Sequence, residues 1–251
     1  MNERDALAEA LSRSWYHTIE LAPGQATEGW VDLRPFAPKV LPRELSGKRA
    51  LDIGTYDGFW AFELEKRDAV EVLAVDLDSH EDSDWPTLRR EQLARQVREE
   101  GAKPGERFWL AHRALGSRVR RVACSIYDLD VDKLDGPVDY VVIGALLLHL
   151  REPVRALERA HSVLADGGRL VVIEPFHVTL SILQPRRPAA SMQALGSEYN
   201  WWVPNYWCLR GWLRLAGFEP PKHKAMFRLK DWRHPLAALE TTRTPARRPS
   251  R

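Results

Sequence analysis

Cysteine is scarce: Cys124 and Cys208 are the only two in 251 residues, and they lie far apart. A zinc framework of clustered ligands and a disulfide scaffold are both excluded, and the usage fits a reducing cytoplasm. Long apolar runs are missing too. The longest, Val138 to Leu150, contains Asp139, Gly144 and His149 and falls short of the ~20 residues that a bilayer span demands. The opening MNERDALAEALSR reads as a charged amphipathic helix without the apolar centre of a signal peptide. A soluble cytoplasmic protein with no membrane partner is expected. An excess of one charge is also lacking. The formal net charge is +2, yet the last eleven residues, TTRTPARRPSR, hold four arginines and no acid, leaving 33 basic and 35 acidic groups in the first 240. That body has none of the domain-wide basicity of a nucleic-acid binder. Thr87 to Arg121, with ten Lys or Arg against four Glu, reads as a solvated helix face. No His, Cys or carboxylate spacing is diagnostic of a metal site.

The chain is long enough to bury a large core, and neither an internal repeat nor a Gly/Ser linker divides it. Arg49 to Ile53 (RALDI) reads as a strand ending at Gly54, and the following GFWAFELEKR has helical spacing. Val70 to Leu77, Val119 to Ile126, Val138 to Ile143 and Arg169 to Glu174 read as further strands. Leu88 to Gly101, Glu106 to Leu115 and Pro153 to Leu164 read as helices, the last opened by a favourable proline. Continuously apolar strands alternating with helices belong to a parallel sheet covered on both faces. The expected fold is α/β, a doubly wound sheet. Beyond Glu174 come a loop rich in proline and arginine, an aromatic segment, a helix over Leu209 to Ala216 and a last strand over Lys224 to Leu229 near the sheet edge. Residues 1–44 are read as a helical N-terminal extension covering the substrate, 45–240 as the main domain and 241–251 as a disordered basic tail.

In a doubly wound sheet, ligands bind at the carboxyl ends of the strands, where the strand order reverses. The first strand end reads Leu51-Asp52-Ile53-Gly54-Thr55-Tyr56-Asp57-Gly58-Phe59-Trp60, a D-x-G-x-x-x-G arrangement in a strand-turn-helix setting. Gly54 lets the backbone turn against a ligand, and Gly58 permits close packing where the helix starts. A dinucleotide site would show G-x-G-x-x-G and a bare helix N-terminus for the pyrophosphate. Here Tyr56 takes the middle glycine position and Asp57 adds negative charge, which disfavours NAD. Asp57 is also suited to cap the helix. The second strand ends at Asp76, twenty-two residues after Gly54, the usual place for an acid that accepts from both ribose hydroxyls. Asp52, Asp57 and Asp76 together form an acidic crevice suited to a positively charged nucleoside without phosphate.

LDIGTYDGFWAFELE followed by VLAVDLD resembles motif I and the acidic loop after it in the class I S-adenosylmethionine-dependent methyltransferases. The likeness continues through Ser125-Ile126-Tyr127-Asp128, Gly144, Leu147-Leu148-His149-Leu150 and DGGRLVVIEP, covering roughly Leu45 to Leu229. WYHTIEL (Trp15 to Leu21), GWVDLRP (Gly29 to Pro35) and Trp201-Trp202-Val203-Pro204-Asn205 are similar to the group that includes the tRNA wobble-uridine carboxymethyltransferases and their shorter relatives. The resemblance implies a mostly parallel seven-stranded Rossmann-like sheet and S-adenosylmethionine as cofactor. Its methionine end would lie near Asp52, Gly54 and Asp57, its ribose on Asp76, and its adenine beside Leu77 and between Ser125 and Ile126. Thr55, Tyr56, Gly58 and Gly144 complete the implied cofactor-binding set. The wobble-uridine enzymes take a carboxylated cofactor, whose extra charge a lysine in a K-G-P-F segment helps neutralise. The corresponding stretch here, Leu33-Arg34-Pro35-Phe36, offers Arg34 as the only obvious cation. Ordinary methyl transfer to an oxygen or nitrogen of a small organic acceptor is the leading reading, ahead of tRNA modification.

Such a transfer is an in-line displacement at a carbon activated by positive sulfur, so a base is needed only where the acceptor has a proton to lose. His17, His149 and His177 fall at predicted element ends near the crevice and are the candidate catalytic residues. For each one alone, a structural hydrogen bond is the simpler reading. Tyr199 to Trp212 packs six Tyr or Trp into fourteen residues. Trp15, Tyr16, Tyr199, Trp201, Trp202 and Tyr206 are the candidate walls of the acceptor site. Readings of another class are an NAD(P)-dependent oxidoreductase, disfavoured by Tyr56, and a non-catalytic ligand-binding protein, since methyl transfer demands no fixed nucleophile.

Overall fold

The computed structural model describes residues 3–100, 103–196 and 199–244. Seven strands, β1 (Arg49–Ile53), β2 (Glu71–Asp76), β3 (Arg120–Ala123), β4 (Val138–Gly144), β5 (Leu164–Pro175), β6 (Lys222–Phe227) and β7 (Leu236–Thr242), form one sheet in the order β6-β7-β5-β4-β1-β2-β3. Neighbours among β1 to β5 are parallel, while β7 runs antiparallel to both β5 and β6. The doubly wound, mostly parallel seven-stranded sheet is therefore what this chain forms. Leu51 and Ile53 on β1 face one apolar cluster with Leu157 and Leu209, whereas Ala50 faces the other with Phe59, Phe62 and Phe108. Burial on both faces is why these strands read as largely apolar runs rather than alternating ones. The strand order reverses between β1 and β4, so the crevice opens above their carboxyl ends.

The helices are α1 (Glu3–Leu11), α2 (Ala37–Val40), α3 (Phe59–Glu65), α4 (Arg90–Glu100), α5 (Glu106–Leu115), α6 (Pro153–Val163), α7 (Val178–Leu183) and α8 (Tyr206–Leu215). None among the described residues is long and apolar enough to cross a membrane. Gly116 ends α5 in the left-handed conformation, and the Asn205 side chain caps α8 by accepting from the Cys208 N–H.

Three expectations need correction. The proposed tail begins too early: Thr241 and Thr242 belong to β7, Thr241 is buried with its hydroxyl donating to the Glu219 carbonyl, and Arg243 bridges to Phe218. Residues 245–251 of that tail lie outside the described residues. The N-terminal segment is only partly helical. Between α1 and α2, Trp15–His17 pairs in parallel with Gly29–Val31, and Glu20–Ala22 pairs with Gln25–Ala26. Nor is it an appendage, because Trp15, Ile19, Leu21, Val31 and Leu33 share one buried cluster with Phe59 and Phe62. Finally, the edge strand spans Lys222–Phe227, and α8 starts at Tyr206, three residues before the expected helix.

Candidate functional site

The turn after β1 is held from below by β2: the N–H groups of Gly54 and Thr55 both donate to the Val75 carbonyl, at 2.8 and 3.2 Å. Tyr56 then sits at φ +51°, in the left-handed region that costs a side-chain-bearing residue about 1 to 2 kcal/mol. Its N–H donates to Asp76 Oδ2 at 2.6 Å, and the Leu77 N–H donates to Oδ1 at 2.7 Å. Two backbone donors from two strand ends thus orient the Asp76 carboxylate, and each oxygen keeps acceptor capacity for a hydroxyl. Burial pushes this carboxyl up, while those two bonds and the Arg121 charge act in the opposite sense. Arg121 is engaged with Asp78 and the Leu77 carbonyl. Half-buried Leu77 and buried Ile126 supply apolar surface beside Asp76, and Ser125 Oγ accepts the Tyr127 N–H.

Asp57 does not cap α3. The N-cap is Gly58, and the Asp57 carboxylate turns instead to His17, accepting its main-chain N–H at 2.8 Å and lying 2.6 Å from its Nδ1. Asp52 is fully buried, accepts the Ala61 N–H at 3.1 Å, and has its carboxyl pushed up to about 7 by burial. Asp52 Oδ1 and Thr55 Oγ1 are both buried, and the Thr55 hydroxyl acts against the upward push on Asp52. Of the three carboxylates expected to make an acidic crevice, only Asp76 keeps any exposure, because His17, distant in sequence, closes over Asp57.

The glycines are there for space. At Gly58, φ +96°, a Cβ would lie 2.3 Å from the Phe62 ring and 2.9 Å from Phe108. Gly58→Ala is therefore expected to lower unfolding free energy by about 2 to 4 kcal/mol in urea titration. A loss below about 0.5 kcal/mol would mean that the helix start shifts freely. At Gly144 a Cβ would lie 2.3 Å from Trp60 Nε1, so the Trp60 indole crosses the end of β4. These residues fit an adenosyl cofactor through Asp76. Asp76 keeps acceptor capacity for a pair of ribose hydroxyls, the flexible Leu146 side chain lies 3.0 Å from where a Cβ of Gly54 would be, and at the start of α3 the Asp52 carboxylate already takes the Ala61 N–H, a donor that a pyrophosphate would need.

The three histidines differ in what they present. His149 ends the 3-10 turn Leu147–His149 after β4, with Nδ1 3.0 Å from the Tyr199 carbonyl oxygen. A carbonyl only accepts, so Nδ1 carries the hydrogen and Nε2 the lone pair. Burial holds this imidazole below the usual histidine range, hence neutral at pH 7. His177 caps α7, its Nδ1 accepting the Leu180 N–H at 3.3 Å, which leaves Nε2 as a donor. His17 is committed to Asp57 through Nδ1.

The aromatic candidates also separate. Tyr16 meets Tyr56 edge to face at 5.5 Å, and its phenol is pushed up to about 12, first by burial and then by Asp57. Trp15 is core, its Nε1 donating to the Ala10 carbonyl at 2.8 Å. The Trp201 indole donates to the Asp84 carbonyl, and that of Trp202 to the Arg151 carbonyl. Tyr199 packs on the Trp85 and Leu93 cluster while its carbonyl holds His149. Tyr206 packs against Phe176 on α8. Tyr16, Tyr56 and His17 are thus brought together, as are Tyr199 and His149.

Residues 25–236 match a family described as a methyltransferase domain. The chain belongs to this methyltransferase family. No curated protein matches the sequence. Among solved structures, the N-terminal domain of EvdMO1 with S-adenosylhomocysteine (SAH) bound is 18% identical, with a TM-score of 0.60 and 98% of each chain covered. The 1,6-didemethyltoxoflavin-N1-methyltransferase of Burkholderia thailandensis is 19% identical, with a TM-score of 0.55, covering 85% of this chain and 78% of that one. The S-adenosylmethionine-dependent methyltransferase SibL is 18% identical at a TM-score of 0.51, and the alignment spans 56% of its length. At such identities the likeness establishes the fold.

Three further residues of this methyltransferase escape sequence reasoning. Glu174, buried at the end of β5, accepts the N–H groups of Leu146 and Leu147 at 2.7 Å each and so holds the turn that carries His149; burial pushes its carboxyl up to about 8. Asp84 accepts the Tyr127 hydroxyl and the Arg151 N–H, both at 2.7 Å, beneath the cover. Buried Asn205 accepts from Ala189 and donates to the Arg187 carbonyl besides capping α8. An acid closing an apolar strand is the signal for Glu174, an asparagine directly before an aromatic helical run is that for Asn205, and Asp84 carries none.

Proposed function

We propose that this methyltransferase moves a methyl group from S-adenosylmethionine to an oxygen or nitrogen of a small organic acceptor, with His149 as general base. The observation that carries the reading is the Asp76 carboxylate, held by the Tyr56 and Leu77 N–H groups beside the turn at Gly54. The donor, when bound, supplies an electrophilic methyl on positively charged sulfur. Asp76 accepts the ribose hydroxyls, and Leu77, Ser125 and Ile126 flank the adenine. Thr55, Tyr56 and Gly144 border the methionine end. His149 Nε2 takes the proton of the acceptor's hydroxyl or amine as that atom attacks. Tyr16 and the segment Tyr199 to Trp202 cover the acceptor and exclude water, which leaves alignment as the main task of the protein. The toxoflavin relative, whose structure holds both 1,6-didemethyltoxoflavin and SAH, supports a small acceptor. Calorimetry tests the reading. Saturable binding of SAH and none of NADH is expected, and the reverse would overturn it.

The ordinary cofactor is favoured over the carboxylated one that tRNA wobble-uridine enzymes use. Arg34 is already neutralised by Asp32, its Nε and Nη2 donating to the two carboxylate oxygens at 2.9 and 2.8 Å. A buried carboxylate without a paired cation costs several kcal/mol. In competition binding, the carboxylated form is therefore expected to be weaker by about tenfold or more. Tighter binding of that form would promote the tRNA reading.

A further inference from the structure

We propose that His17 is a positioning residue for the cofactor turn, acting through Asp57 to fix the backbone at Tyr56 that orients Asp76. The inference rests on the donor-site reading above. Asp57 is fully buried, so its carboxylate offers nothing to a ligand in the crevice. Both its oxygens are engaged by one residue, Oδ2 with the His17 N–H at 2.8 Å and Oδ1 with Nδ1 at 2.6 Å. A carboxylate accepts, so Nδ1 is the donor.

His17 is itself rigidly mounted. Its carbonyl accepts the Thr27 hydroxyl at 2.9 Å, that hydroxyl oxygen accepts the Ile19 N–H at 2.8 Å, and the Thr18 N–H donates to the Val31 carbonyl at 2.9 Å. Gly29 approaches so closely that a Cβ there would lie 2.2 Å from the His17 carbonyl carbon. The imidazole rests between Tyr16 and Phe59, with ring centroids at 4.6 and 5.4 Å. Around Asp57 the turn holds three left-handed residues, Gly54 at φ +77°, Tyr56 at φ +51° and Gly58 at φ +96°. Gly58 tolerates that conformation; Tyr56 is kept in it by its neighbours. Its ties include its own N–H on Asp76, the Gly58 N–H that donates to the Thr55 carbonyl across the turn at 2.8 Å, the edge of Tyr16, and the clasp from His17 to the adjacent residue. Without the clasp, Tyr56 relaxes toward ordinary φ and its N–H leaves Asp76 Oδ2. The carboxylate then loses one of the two donors that aim it at the ribose.

Amide substitutions separate this role from the others, because an asparagine N–H₂ occupies the position of Nδ1 and a glutamine N–H₂ that of Nε2. SAH affinity and thermal midpoint are to be measured for the wild type, His17→Asn, His17→Gln and His17→Ala. The Gln and Ala variants are expected to bind SAH about tenfold or more weakly, and Asn within about threefold of wild type. Unchanged affinity in all three would overturn the proposal, whether or not their thermal midpoints fall. So would an Asn variant that folds like the wild type yet binds as weakly as Gln. Failure of the wild type to bind SAH would overturn the donor reading itself.

Discussion

Replacement of His149 by alanine is expected to lower kcat by about 10²- to 10⁴-fold while SAH affinity stays within about threefold. The Tyr199 carbonyl fixes the hydrogen on Nδ1, so Nε2 is the nitrogen with a lone pair, and burial favours the neutral ring. Protonation removes the base. Because burial lowers the pKa, the acid limb of the rate profile should fall below pH 6.5, the ordinary histidine value. The same shift has a stability consequence of defined sign. The fold prefers neutral His149, so this group's contribution is present above the unfolded pKa and is lost as pH falls through the lower folded value. With any acceptor that the wild type methylates, rates from pH 5 to 8 decide the matter. An alanine variant that keeps both the rate and the acid limb would assign the base elsewhere.

Replacement of Asp76 by alanine is expected to weaken SAH binding by about 1.5 to 3 kcal/mol, the scale of hydrogen bonds to a charged group, or about 10- to 150-fold. Two losses combine. The ribose hydroxyls lose their acceptor, and the Tyr56 and Leu77 N–H groups lose the partner that holds both strand ends. Asp76→Asn should fall between, since its amide keeps one acceptor oxygen and gives up the charge. Calorimetry with SAH checks both variants, and wild-type affinity in Asp76→Ala would place the cofactor elsewhere.

Local patterning by itself was enough for the parallel core and for the turn after β1. RALDI and VDYVVI are apolar at most positions because each is buried on both faces, and Gly54, Gly58 and Asp76 lie at or just beyond the ends of two adjacent parallel strands. β7 was not legible. Its LAALETT pairs small residues with Glu and Thr, and only the antiparallel contacts with β5 and β6 make it a strand. The carboxylates could be counted in the sequence, but not their fates: Asp57 is bound by a histidine 40 positions earlier, and Asp52 is sealed in the core. Likewise His17, His149 and His177 were equivalent on residue type. Tertiary structure separated them by giving each imidazole a different partner, the Asp57 carboxylate, the Tyr199 carbonyl and the Leu180 N–H. The partner of one ring nitrogen decides whether the other offers a lone pair or a proton, and that partner is supplied by the fold.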